Sequence, residues 1–331
     1  MTTVFRVLKW TGSILSILLL FVLTSGLLFR LFSPAPSPPG QLIEVEGTKL
    51  HLHATGKRNH LPTVIIEAGQ ALPTGHYHWL SEELKDSLRV IRYDRAGIGY
   101  SELGVSLRDP QTIARELHAL LAAAGESPPY ILAGHSFGGF FIRKFADLYP
   151  DEVSALVFID ASHPDQRERM GYGPPPDFTL LCNTLAILGD VGVLGLFDRL
   201  NGSILHVDDF PDEVNQSFYD YSLNGRYYRG YREETKANLA CYAQARATKD
   251  FGDLPIRVFT AGLRYNGQPA KPEWLALQAE LAALSTNGKH VIIPGHHNSI
   301  YTTRRNAEVI CGEILALAKK TTPSQTLVVP R

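Results

Sequence analysis

From Gln41 onward, short apolar runs rich in β-branched residues alternate with stretches of helical period. Residues 42–45 and 50–53 alternate in character across Gly47-Thr48 and predict an antiparallel hairpin. Buried strands are predicted at 63–66, 90–93, 130–133 and 155–159, with helices at 79–88, 112–124 and 140–148 between them. Gly125 ends one helix and Pro150 follows another. This is the βαβ rhythm of a mostly parallel sheet with helices on both faces. After Asp160 the rhythm breaks: no convincing parallel strand appears before Leu254, and the segment carries Pro174-Pro175-Pro176 and many tyrosines. It is too long for a loop and predicts an inserted helical cap over 161–253, whose tyrosines are read as packing and cap surface. Strands at 256–259 and 290–293 and helices at 273–284 and 306–319 complete the pattern. The core is therefore expected over 41–160 and 254–320, with a loose tail over 321–331.

The first 32 residues differ in kind. Residues 10–29 carry no charge, and about 20 apolar residues cross the ~30 Å hydrocarbon of a bilayer. The apolar stretch is long for a signal peptide and shows no Ala-x-Ala-like site, which favours an uncleaved signal-anchor over a secreted, cleaved form. Arg6, Lys9 and the amino terminus outweigh Arg30, so the N-terminus is expected in the cytoplasm and the remainder outside it. A proline-rich run over 33–40 reads as a semi-rigid spacer.

Composition removes several function classes. A formal net charge of −1 over 331 residues leaves no basic footprint for nucleic acid. Cys182, Cys241 and Cys311 are too few and scattered for a disulfide framework or zinc site, and free thiols are favoured over a Cys182–Cys241 pair. His51 and His53 share a strand face without a third ligand and read as surface histidines. Metal is therefore not expected, nor any cofactor. Asp94 and Arg95 read as a structural pair, and His76 and His78 as possible pocket residues. Asn201 and Asn215 head glycosylation sequons.

The chemistry is concentrated in Gly134-His135-Ser136-Phe137-Gly138, set between the strand at 130–133 and the helix at 140–148. Gly-x-Ser-x-Gly in that setting is the nucleophile-elbow arrangement. Together with Tyr93-Asp94-Arg95-Ala96-Gly97-Ile98-Gly99-Tyr100-Ser101, Ile159-Asp160 and Pro294-Gly295-His296-His297-Asn298, it makes residues 41–320 resemble the α/β-hydrolase superfamily. The resemblance implies an α/β-hydrolase fold with a cap inserted before the penultimate strand and a serine nucleophile, Ser136. It implies a base past the last strand, where His297-Asn298-Ser299-Ile300 fits the family pattern better than His296, although His296 stands where the family usually has Gly. Residues 260–271 lack Asp and Glu. The resemblance then points to the family's other acid position, Asp160, with Asp165 as the alternative. It implies an oxyanion hole from the amides of Phe137 and Gln70, with the Gln70 side chain able to face the site. The expected protein is a membrane-anchored serine hydrolase taking small, hydrophobic or lipid-like acyl esters. An amidase or peptidase of the same fold, or a silent tethered binding protein, is the alternative.

Overall fold

The computed structural model describes residues 2–34, 37–222, 224–248 and 250–321. The tail expected over 321–331 lies outside them except for Thr321, which ends a helix. The elements in chain order are α1 (Thr2–Phe32), β1 (Gln41–Val45), β2 (Thr48–Thr55), β3 (Thr63–Glu67), α2 (His78–Leu84), β4 (Val90–Asp94), α3 (Pro110–Ala123), β5 (Tyr130–His135), α4 (Gly138–Leu148) and β6 (Val153–Ile159). Then come α5 (Gln166–Arg169), α6 (Thr179–Asp190), α7 (Val193–Asn201), α8 (Asp212–Ser222), α9 (Arg226–Lys236) and α10 (Asn238–Ala247). The chain finishes with β7 (Ile256–Ala261), α11 (Pro272–Ala282), β8 (Gly288–Ile293), α12 (Ser299–Thr302) and α13 (Arg304–Thr321).

The eight strands form one sheet in the order β1-β2-β4-β3-β5-β6-β7-β8. The β1–β2 and β2–β4 pairs are antiparallel and all other pairs parallel. β3, β4 and β5 are buried along their whole length, which is why they read as continuous apolar runs and not as alternating ones. Ala114, Leu117 and Leu121 of α3 and Ile142 and Phe145 of α4 cover one face. Leu80 and Leu84 of α2 and Ile310, Ile314 and Leu317 of α13 cover the other. The start of α3 is written locally: the Asp109 side chain accepts from the amides of Gln111 and Thr112, and Pro110 occupies the first turn. α2 stops at Leu84, before the expected end at 88, because the Leu88 carbonyl packs so closely on Gly56 that the chain is already turning into β4.

Helices α5 to α10 all lie between β6 and β7. They enclose an aromatic core of Phe210, Phe218, Tyr221, Tyr227 and Tyr228, joined by Tyr100 from the sheet side. α10 docks on α4 through Cys241, Tyr242 and Ala245 against Phe140 and Phe141. All three cysteines are free, buried thiols. Asn215 is buried and bonds Val207 on both its amide N–H and its carbonyl, so its side chain serves packing. One helix, 3–32, is long and apolar enough to cross a membrane among the described residues. Its last turns pack on the α6–α7 turn, where Gly26 and Gly192 meet backbone to backbone.

Two readings of the sequence are corrected. His51 is not at the surface: it is 1% exposed, and its Nδ1 donates to Asp94 Oδ2 at 2.8 Å. Its Nε2 binds the Pro39 carbonyl, tying the end of the proline-rich run to the sheet. Burial works to lower the His51 pKa, yet the Asp94 carboxylate raises it. Asp94 and Arg95 do not pair with each other. Asp94 also accepts from the amides of Thr74 and Tyr100, while Arg95 turns to two glutamates.

Candidate active site

Ser136 sits at the C-terminal end of β5 with φ +52°, a conformation L-residues rarely adopt. The glycines of the motif are required by close approach. A Cβ at Gly138 would lie 2.4 Å from the Glu67 carbonyl oxygen, and one at Gly134 would lie 2.7 Å from Gly138. The elbow is locked by the Ser136 carbonyl, which accepts from the amides of Gly139 and Ser162.

Asp160 ends β6, also at positive φ (+41°), and is buried. Its Oδ2 accepts from His297 Nδ1 at 2.6 Å. Its Oδ1 accepts from the Ala261 amide and from Trp274 Nε1, both at 3.1 Å. Three donors hold the carboxylate in the plane that faces the imidazole, which fixes the proton on Nδ1 and leaves Nε2 free to accept. Ser136, Phe137, Asp160 and His297 line one cavity of about 560 Å³, whose other walls include Met170, Tyr172, Leu263, Tyr265 and Trp274. His296 faces elsewhere: its Nδ1 accepts from the amides of Asn298 and Ser299, and its ring lies 4.9 Å from that of Tyr265. Asp165 is not brought to His297; it accepts from Arg246 Nε at 2.6 Å.

Of three successive amides after β3, the outer two are spent. Gly69 N–H donates to Tyr77 Oη at 2.7 Å and Ala71 N–H to Glu234 Oε2 at 2.7 Å. The Gln70 and Phe137 amides have no hydrogen-bond partner among the described residues. The Gln70 side chain does not face the cavity as expected but donates to Asn238 Oδ1 of α10 at 2.6 Å.

Two networks that the motif reading missed hold this geometry. In the first, Tyr77 Oη donates to His135 Nδ1 at 2.9 Å, and His135 Nε2 donates to the His297 carbonyl at 3.2 Å. One chain of bonds therefore runs from the Gly69 loop to the His297 loop. Burial, with the His297 ring 4.5 Å away, holds the His135 pKa well below the usual histidine range, so this ring is neutral. In the second, the buried Arg95 guanidinium binds Glu67 of β3 at 2.6 Å and Glu234 of α9 at 2.7 Å, and donates to the Ala68 and Gly69 carbonyls. Burial opposes its charge, but Glu234 and Glu67 raise its pKa well above the usual value. The x position of the motif gave no signal for His135, and nothing near Glu234 in the chain marks it as a partner of residue 95. Neither His76, packed on Phe218, nor His78 lines this cavity.

A serine hydroxyl, an imidazole backed by a carboxylate and an unspent amide thus share one cavity, the set of groups that nucleophilic attack on a carbonyl requires. A family model described as alpha/beta hydrolase fold matches residues 63–249, more than half of the 331-residue chain. The chain belongs to the alpha/beta hydrolase fold family. This alpha/beta hydrolase is 29% identical to the uncharacterized protein YbdG of Bacillus subtilis over 171 residues, 50% of this chain and 53% of that protein. It is 26% identical to an uncharacterized protein of Schizosaccharomyces pombe over 329 residues, 87% of this chain and 58% of that one. The chain thus spans little more than half the length of these curated relatives. Among solved structures, a thermophilic esterase from Thermogutta terrifontis superposes with a TM-score of 0.57 at 20% identity, covering 85% of this chain and 97% of the esterase, a likeness of fold.

Proposed function

We propose that this alpha/beta hydrolase is a membrane-anchored serine hydrolase that cleaves hydrophobic acyl esters through an acyl-enzyme. The observation that carries the reading is the shared cavity. Ser136, at its strained elbow, lines it together with Phe137 and with His297, whose imidazole bonds Asp160, and the Gly69 backbone that precedes the unspent Gln70 amide lies against Ser136. Ser136 Oγ attacks the acyl carbonyl carbon while His297 Nε2 takes its proton. The amides of Phe137 and Gln70 hold the tetrahedral oxyanion. The intermediate collapses and His297 returns the proton to the leaving alcohol. Water, activated by the same imidazole, then releases the acid and frees Ser136. Apolar and aromatic walls at Met170, Tyr172, Leu263 and Tyr265 suit an acyl chain, and Arg264 and Lys271 line the same cavity. An ester is the favoured bond because an alkoxide leaves more readily than an amide anion, so C–O cleavage demands less of the acid that protonates the leaving group. In this reading α1 crosses the bilayer once, with Arg6 and Lys9 on the cytoplasmic side.

The test is labelling with a fluorophosphonate probe, followed by turnover of p-nitrophenyl esters of graded chain length and matched anilides. Wild-type protein is expected to label at Ser136 and to prefer esters, with Ser136→Ala losing label and about 10⁴-fold or more of kcat. Full esterase turnover by Ser136→Ala would refute the assignment. Anilide turnover matching that of the esters would move the reading to an amidase.

A further inference from the structure

The α6–α7 hairpin of the cap presents an apolar surface that none of the described residues covers. Leu180, Leu181, Ile187, Phe197, Leu200 and Ile204 are each more than half exposed, from 53% to 80%. Leu180 and Ile187 fall on one face of α6, with the polar Thr184 between them, and Phe197 and Leu200 lie together on one face of α7 beside the half-buried Val193. The two helices meet at 85°. The charges on the hairpin are engaged within the chain, although Arg199 is exposed and the Asp190 carboxylate is 36% exposed. Asp190 pairs with Arg229, Asp198 is buried and accepts from the Ile204 amide, and Arg199 lies over the Tyr219 ring and bonds Gln216.

The position of the hairpin names its solvent. α7 packs along the last turns of α1. The contact is too close for side chains: a Cβ on Gly192 would lie 2.1 Å from the Gly26 carbonyl oxygen, and one on Gly26 would lie 2.8 Å from Val193 Cγ2. Arg30 closes the joint by donating to the Asp190 carbonyl. Gly26 lies three residues before Phe29, the end of the charge-free stretch, which is about 4.5 Å along a helix. A span that places residues 10–29 in hydrocarbon therefore carries the α6–α7 turn about 5 Å below the interface, the depth at which amphipathic helices lie in a membrane.

We infer that the α6–α7 hairpin is immersed in the outer leaflet of the bilayer, so that the cap docks on lipid and is not merely tethered near it. This rests on the anchor reading above. A second copy of the chain would cover the same surface without following α1, and for that reason lipid is the occupant chosen.

The experiment uses full-length protein in phosphatidylcholine nanodiscs carrying nitroxide-labelled lipid. An environment-sensitive fluorophore is attached at Leu200→Cys, Ile187→Cys, Leu15→Cys in α1 or the fully exposed Val105→Cys, with unsubstituted protein as labelling background. The expected result is strong quenching at 15, 187 and 200 and none at 105. Quenching at 15 without quenching at 187 and 200 overturns the inference and leaves the anchor standing. A blue-shifted but unquenched label at 200 overturns it in favour of a protein contact. Loss of quenching at 15 as well overturns both readings.

Discussion

Tyr77 shows how much of the site is held by single atoms. Its hydroxyl accepts from Gly69 and donates to His135, so the Gly69 loop and the His297 loop are joined through one oxygen. Tyr77→Phe leaves a buried donor and a buried acceptor unpaired, at a cost of about 1–3 kcal/mol in stability. It should lower kcat about tenfold with little change in KM, because the loosened loops matter most when the oxyanion forms. Steady-state ester kinetics measure the split. The buried histidines also set an acid limit. Burial lowers the His76 pKa to about 4, and the same cause holds His135 well down. Below about pH 6.5 the unfolded chain takes protons that the fold refuses, so stability is full above that pH and declines as pH falls toward 4. Each such histidine contributes up to ~1.4 kcal/mol per pH unit across that window. Denaturant midpoints between pH 4 and 8 should show the decline, and His76→Gln should flatten it.

At the scale of elements, the alternation of apolar runs and helical periods located the strands and the larger helices of the sheet domain. A strand buried on both faces and an amphipathic helix each write their environment into local sequence. β5 and α4 with their glycines are an instance: the spacing of Gly134, Ser136 and Gly138 is a local consequence of how closely strand, elbow and the β3 loop pack. What the sequence left unread depends on long-range neighbours. His51 is exposed or buried according to whether β4 brings Asp94 beside it and Pro39 folds back over it. Asn238 and Glu234 meet the β3 loop from more than 160 residues away. The interior of the cap was the least legible, since its six short helices follow one another without a sheet to impose a period.

For the whole molecule, the decisive bond is the one joining cap to sheet. Glu234→Gln removes one of the two carboxylates around a guanidinium with 1% side-chain exposure. Breaking a buried ion pair typically costs about 3–5 kcal/mol. The variant should therefore lower the urea midpoint and, because one amide oxygen cannot accept from both Arg95 and the Ala71 amide as the carboxylate does, slow ester turnover. Unchanged values for both would show that the cap is held elsewhere. Because Arg95 is shared between the two layers, lifting the roof costs the buried guanidinium its Glu234 partner and leaves Glu67 as its one carboxylate. With the roof held down, the cavity meets solvent where the half-exposed ring of Tyr172 and the exposed ring of Tyr265 line it. Under the proposed reading, the spacing of those two rings should then bear on which esters enter.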